Sequence, residues 1–320
     1  MVVEVDSLRR VRDAIDVERT LRRILAEIEP TRAQKEGAQR SHKHLRALLD
    51  SGQIGSRIRG SYLSGSYARD TAIRPLDDVD IIFEIEPSGW NSGLFRTLPT
   101  PDRVLQSFAT AIRRRYPSTS VYSQRRSVRL NLNHLDIDVV PAIPDRSDPG
   151  LILVPDRNSD SWIKSSPLRH SEIASRVNSQ RDGRFKPLVK LAKFWNSNLP
   201  GTTRCKSFTI ETIATRTFST IPFDGLSEGL LLFWDFLAAQ FDEPSIVRWP
   251  QTFGMSFDWL SISVPDAAGI GSNTAAYMTY SHARSLAAAA RISRDRLLAS
   301  SSARTDDSCE RHILRSLRAL

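Results

Sequence analysis

The segment from Gly65 to Ile85, GSYARDTAIRPLDDVDIIFEI, leaves few folds open to this chain. A Gly-Ser pair opens a turn, and Asp78-Val79-Asp80 then leads into the apolar run Ile81-Ile82-Phe83. Alternate residues of a strand point to the same side, so Asp78 and Asp80 share one face and Val79 and Ile81 the other. Two carboxylates this close resist joint ionisation unless a cation lies between them. Mg²⁺ suits that role, because it takes few protein carboxylates and fills its other positions with water and phosphate oxygens. Backbone N–H groups around Gly65 and Ser66 would hold a phosphate nearby. A second run interrupted by acids, Leu135-Asp136-Ile137-Asp138-Val139-Val140, would complete a two-metal site if its strand lay alongside. One ion would lower the pKa of an attacking hydroxyl, and the other would hold a triphosphate and neutralise the leaving pyrophosphate.

Gly-Ser, a spacer, Asp-x-Asp and a later lone Asp together resemble the polymerase-beta-like nucleotidyltransferases. The finer wording, GSYARDTAIRPLDDVDI with a later IDVVPA, is similar to the CD-NTases, bacterial relatives of cyclic GMP-AMP synthase and the oligoadenylate synthases. The resemblance assigns the third metal ligand to Asp138 rather than Asp136, because the family's acid directly precedes the Val-Val-Pro-Ala stretch. It implies an α+β, bilobal fold: a mixed-sheet lobe, a helical lobe and a long N-terminal helix bracing both. The sheet lobe with its N-terminal helices is expected over residues 1–155, and the helical lobe over 156–320. In LAKFW and KSFTIE, the resemblance gives Lys193 a contact to the donor triphosphate, Ser207 a hydroxyl for the phosphates and Phe208 a ring for the base. Periodicity alone would read Lys186, Lys190 and Lys193 as a solvated helix face.

A chain of 320 residues can bury a sizeable core or two adjoining ones. No apolar run approaches the ~20 residues that span a bilayer, and MVVEVDSLRRVRD lacks the apolar core of a signal peptide. The expectation is a cytoplasmic protein with no membrane partner. Two distant cysteines, Cys205 and Cys309, cannot build a zinc ribbon. The net charge of +9 fits nucleic-acid binding, an enzyme that handles triphosphates, or a solvated basic surface equally. With no aromatic-interleaved basic stripe, long nucleic acid is not an expected partner.

Helices are expected over residues 6–29, with Leu8, Val11, Ile15, Leu21, Leu25 and Ile28 inward and Asp6 or Ser7 as cap, and over 31–50 beyond Pro30. Residues 54–64 read as a strand and 87–101 as a loop. A helix follows over 102–116, then strands near 119–123, 126–132 and 135–140, with His134 in a structural role. Residues 144–169 read as a connector. From 183 onward the chain reads as mostly helical, with the aromatics of 222–260 packed in a core. The stretch from Val264 to Asn273 is similar to a late family loop but carries Ala267 where Pro is usual. A helix capped by Ser272 or Asn273 is expected after it.

The expected function is a Mg²⁺-dependent nucleotidyltransferase, with two ions and Mn²⁺ able to substitute. The resemblance implies that it joins ribonucleoside triphosphates into a cyclic di- or trinucleotide that signals to a separate effector protein during phage infection. A regulatory partner protein is compatible with this reading. The alternatives are a linear or RNA-end nucleotidyltransferase, an AMP-transferring antitoxin-like enzyme, and an inactive nucleotide-binding scaffold.

Overall fold

The computed structural model describes residues 9–11, 14–90, 98–241, 244–303 and 305–318. Leu8 and the expected caps Asp6 and Ser7 lie outside them, as does part of the expected 87–101 loop. The chain divides into two compact units, one formed by residues 30–172 and the other by 1–29 with 173–320.

Helix α1 (Ile15–Ile28) belongs to the second unit and α2 (Arg32–Asp50) to the first. These are the two helices expected on either side of Pro30, the first described from Ile15 rather than from residue 6. Pro30 excludes the helical conformation at the residue before it, and Glu29 is extended, at φ −70° and ψ 141°. Thr31 then caps α2 through a reciprocal pair of bonds with Gln34.

The first unit is built on β1 (Ile58–Ser64), the short helix α3 (Gly65–Ala68), β2 (Asp78–Ile85), α4 (Pro101–Arg115), β3 (Ser120–Ser123), β4 (Val128–Asn131), β5 (Asp136–Pro144), β6 (Ile152–Asp156) and β7 (Ser161–Ser165). The strand order is β1-β2-β5-β4-β3, with β6 and β7 continuing from the far end of β5. Only β2 and β5 run parallel, and the chain between them supplies the crossover that parallel strands require. Val79, Ile81, Phe83 and Ile85 bury one face of β2, as the alternation requires, against Val104, Leu105, Phe108 and Ile112 of α4. Trp90 stacks on Phe108 at 5.6 Å between ring centres.

Three expectations are corrected here. The stretch before β1 begins with a 3-10 turn, Gly55–Arg57, so the strand starts at Ile58 rather than Ile54. The connector expected over 144–169 is the β6–β7 hairpin, whose Ile152 and Val154 pack with Ile82 and Ala142 on the second face of the sheet. The boundary near residue 155 accordingly falls inside a hairpin that pairs with β5, and the division between units lies instead within α5 (Pro167–Gln180).

The second unit combines α1 with α6 (Phe185–Ser197), α7 (Ser207–Phe218), α8 (Leu226–Ala239), the small hairpin β8 (Ser256–Phe257) and β9 (Ile262–Ser263), α9 (Tyr280–Ser300) and α10 (Asp306–Arg318). Leu188, Leu191, Ala192 and Trp195 form the buried face of α6, and Trp195 packs against Phe233 and Trp234. Buried Asp235 accepts from Arg294, Ser245, Trp249 and the backbone N–H of Ile246, so its charge is fully engaged. Trp259 departs from the expected aromatic core: it stands 75% exposed in the turn between β8 and β9, next to Leu260 at 76%. The helix expected from Ser272 or Asn273 starts later, at Tyr280, with Thr279 accepting from the N–H of His282. Asn273 is needed elsewhere: its side chain binds the backbone of Ile262, Val264 and Ala275 and fixes the loop.

Candidate active site

The antiparallel partner of β2 delivers the turn. β1 ends at Ser64, paired with Asp80, and the chain turns at once into Gly65. Gly65 has φ +70°, and a Cβ there would lie 1.8 Å from Oδ2 of Asp80. Both the left-handed backbone and the close approach demand glycine. The turn closes with the N–H of Thr71 donating to the carbonyl of Ser66 at 2.9 Å. Thr71 and Arg69 are buried, whereas Arg74 is exposed. Gly65→Ala is expected to cost about 1–3 kcal/mol in stability from backbone strain and far more in activity, because its Cβ displaces the Asp80 carboxylate. Thermal melts beside turnover rates separate the two effects.

The parallel register of β2 and β5 sets Asp78 opposite Asp136 and Asp80 opposite Asp138. Adjacent strands lie about 4.8 Å apart, so these acids crowd on one face. Ile137 and Val139 turn to the core as Val79 and Ile81 do. The crowding raises proton affinity. Asp80 is pushed up to about 7, chiefly by burial and then by repulsion from Asp78 and Asp138, with Arg69 and Arg129 opposing. Asp78 is also raised, first by burial and then by Asp138.

Arg129 is the site residue that the sequence reading missed. It lies opposite Asp138 in the β4–β5 register. Its Nε donates to Asp138 Oδ1 at 3.0 Å and its Nη2 to Oδ2 at 2.6 Å, while Nη1 reaches Asp136 Oδ2 at 3.1 Å. Alternation along Val128-Arg129-Leu130 placed it on the acid face, but only the strand register reveals its partner.

The donor chemistry suits a hard divalent cation: oxygens only, gathered where two protons are held abnormally tightly. Among the described residues no group of three His, Cys, Asp or Glu side chains is arranged to hold an ion as it stands, and both oxygens of Asp138 are engaged by Arg129.

In the helical unit, the solvated lysine face that periodicity alone would give is not what forms. Lys190 and Lys193 are buried rather than solvated, at 3% and 4% exposure. Lys190 pairs with Glu29 at 2.7 Å and Lys193 with Glu211 at 2.6 Å. Ser207 is exposed and Phe208 half-buried at the first turn of α7. One turn beyond Lys193, Asn196 holds Cys205 by both its N–H and its carbonyl, each at 2.8 Å. His134 has the structural surroundings expected of it: it meets Ser41 Oγ at 3.0 Å and packs on Gly37.

The mixed sheet, with its glycine turn over paired acids and a helical unit beside it in sequence, defines a polymerase-beta-like nucleotidyltransferase fold. The Escherichia coli CdnC chain of a CdnC:HORMA-deltaN complex superposes with a TM-score of 0.73 at 20% identity, over 96% of this chain and 98% of that one. The Bradyrhizobium diazoefficiens CD-NTase CdnG, solved with GTP, gives 0.69 at 14% identity, over 95% and 98%. Residues 15–178 match the family model described as the Second Messenger Oligonucleotide or Dinucleotide Synthetase domain. The chain belongs to this family, the CD-NTases. A cyclic AMP-AMP-AMP synthase of Acinetobacter sp. is 34% identical over 203 residues, 60% of this chain and 56% of that protein. The cyclic UMP-AMP synthase of Rhodothermus marinus is 24% identical over 180 residues, 49% of this chain and 61% of that protein. The chain thus spans little more than half the length of these curated relatives. Among the described residues, no helix is long and apolar enough to cross a membrane.

Proposed function

We propose that the chain joins ribonucleoside triphosphates into a cyclic di- or trinucleotide and releases pyrophosphate. The observation that carries the reading is the crowding of Asp78, Asp80 and Asp138 across two parallel strands, under a turn that only glycine can make. A ribose hydroxyl attacks the α-phosphorus of a bound triphosphate, its proton passes to solvent water, and the bond to pyrophosphate breaks as the new P–O bond forms. Repeating the step within the linear product closes the ring. Asp78, Asp80 and Asp138 would hold Mg²⁺, or Mn²⁺ in its place, which supplies charge neutralisation for the hydroxyl and the triphosphate.

The chain's own groups do the positioning. The Gly65–Ser66 turn offers backbone N–H groups to phosphate, Lys193 supplies positive charge and Ser207 a hydroxyl. Phe208 offers a ring on which any base can stack, and Lys193 would bring its charge to phosphate by exchanging its buried partner Glu211 for the triphosphate. ATP is the first donor to test, since the curated relative at 34% identity is a cyclic AMP-AMP-AMP synthase. A separate effector would read the product, and a regulatory partner of the HORMA kind, as in the Escherichia coli CdnC complex, is a natural candidate.

Incubation with the four ribonucleoside triphosphates and Mg²⁺ or Mn²⁺, followed by mass spectrometry, tests the reading. A phosphatase-resistant cyclic product is expected. Exonuclease-sensitive oligomers would point to a linear polymerase, and a labelled acceptor protein to AMP transfer. Neither product nor pyrophosphate, with a HORMA partner supplied as well, would overturn it.

A further inference from the structure

The chain entering α7 is braced at successive backbone groups. His282 Nε2 donates to the carbonyl of Thr203 at 3.2 Å, and Asn196 holds both backbone groups of Cys205. Lys206 comes next. It is the N-cap of α7, and its own side chain makes no capping bond. Its N–H donates instead to Tyr277 Oη at 2.7 Å. Tyr277 Oη donates to Thr209 Oγ1 at 3.2 Å, and Thr209 Oγ1 donates to the carbonyl of Thr274 at 2.8 Å.

Along this path each hydroxyl accepts from the group before it and donates to the group after it, so the three bonds run in one direction and reinforce one another. The ring of Tyr277 also lies beneath the Lys206 ammonium, 4.5 Å from the ring centre. A single side chain therefore fixes both the main chain and the charge of the residue directly before Ser207 and Phe208. Burial pushes the Tyr277 phenol up to about 12, so the hydroxyl stays a donor at any working pH. Two residues before Tyr277, the N–H of Ala275 donates to the Asn273 side chain, which ties this stretch of main chain to the late loop.

We propose that Tyr277 is a positioning residue of the nucleotide-holding turn: its hydroxyl sets the backbone that aims Ser207 and Phe208, and its ring holds the Lys206 ammonium at the start of α7. The inference rests on the nucleotide reading of that turn given above. Tyr277 touches no nucleotide in this scheme. It acts through Lys206, and it gives the late loop a purpose that does not depend on the proline replaced by Ala267.

Tyr277→Phe keeps the ring and the ammonium contact and removes only the hydroxyl. The test measures binding of a non-hydrolysable ATP analogue to the full chain by calorimetry, so no turnover is needed, with melting temperatures taken alongside. Tyr277→Phe is expected to weaken binding about fivefold to tenfold, the worth of roughly one hydrogen bond. Ser207→Ala is expected to weaken it by a similar factor, and the double variant to be little worse than the weaker single one. The KM for ATP should rise with kcat nearly unchanged. If Ser207→Ala weakens binding while Tyr277→Phe does not, or if the two effects multiply, Tyr277 has no positioning role and the nucleotide reading stands. If the unaltered chain binds no analogue, or Ser207→Ala leaves binding unchanged, the nucleotide turn itself is wrong and this inference goes with it.

Discussion

Asp80→Asn is expected to lower turnover by at least about 10³-fold, the scale seen when a preorganised charge at a reacting centre is removed, while leaving the protein folded. The substitution is nearly isosteric, so the packing of Gly65 against this side chain survives. The lost negative charge is one that its neighbours already repel, since Asp80 holds its proton up to about 7 because of burial, Asp78 and Asp138. Stability at neutral pH should therefore rise. That pairing of lost activity with gained stability separates a functional acid from a structural one, because removing an acid that holds the fold together lowers both. Asp136 provides the control. It sits opposite Asp78 in the same register and is joined to Arg129. Asp138→Asn should match Asp80→Asn in activity, whereas Asp136→Asn should stay within about tenfold of the parent, the effect expected of a residue that supports the site without forming it. Initial rates of pyrophosphate release measure all three, and full activity in Asp80→Asn would remove the basis for the proposed chemistry.

What the sequence made legible is local in origin. The period of two in Asp78-Val79-Asp80-Ile81 gives the strand, its buried face and its acid face, because strand geometry needs no knowledge of the rest of the chain. The helical period of Val104, Leu105, Phe108 and Ile112 identifies the face that covers the sheet in the same way. Legibility ends where a partner lies far off in the chain. Lys190 reads as solvated because Glu29, 161 residues earlier, cannot be paired with it from periodicity. The β6–β7 hairpin reads as a connector because Asp156 and Pro155 look like loop residues. Asp156 is in fact buried and held by Arg125 and Arg126 from the β3–β4 turn. Arg129 and Tyr277 stayed hidden for the same reason: a strand register and a loop closure give them their partners, and neither is written in nearby residues.

Ionisation of Asp80 supplies the second large effect. Its proton affinity rises from an ordinary 3.8 to about 7 on folding. Below pH 3.8 both folded and unfolded chains carry this proton, and the group costs nothing. Between pH 3.8 and about 7 the unfolded chain has released the proton and the folded chain still holds it, so stability falls as pH rises. Each pH unit costs about 1.4 kcal/mol, which sums to about 4 kcal/mol for this group once pH exceeds 7. Other groups titrate over the same window, so the clean measurement is a difference. Denaturant midpoints of the parent and of Asp80→Asn, without divalent ions, should draw apart in favour of the variant from pH 4 to pH 7 and stay parallel above it. Mn²⁺ should reverse the trend in the parent, because a cation favours the ionised carboxylates and stabilises the folded chain by mass action. The rise in melting temperature on adding Mn²⁺ is expected to be larger at pH 8 than at pH 5.5, and much reduced in Asp80→Asn at both. An equal rise at both pH values, or an undiminished rise in the variant, would place the bound ion somewhere other than these aspartates.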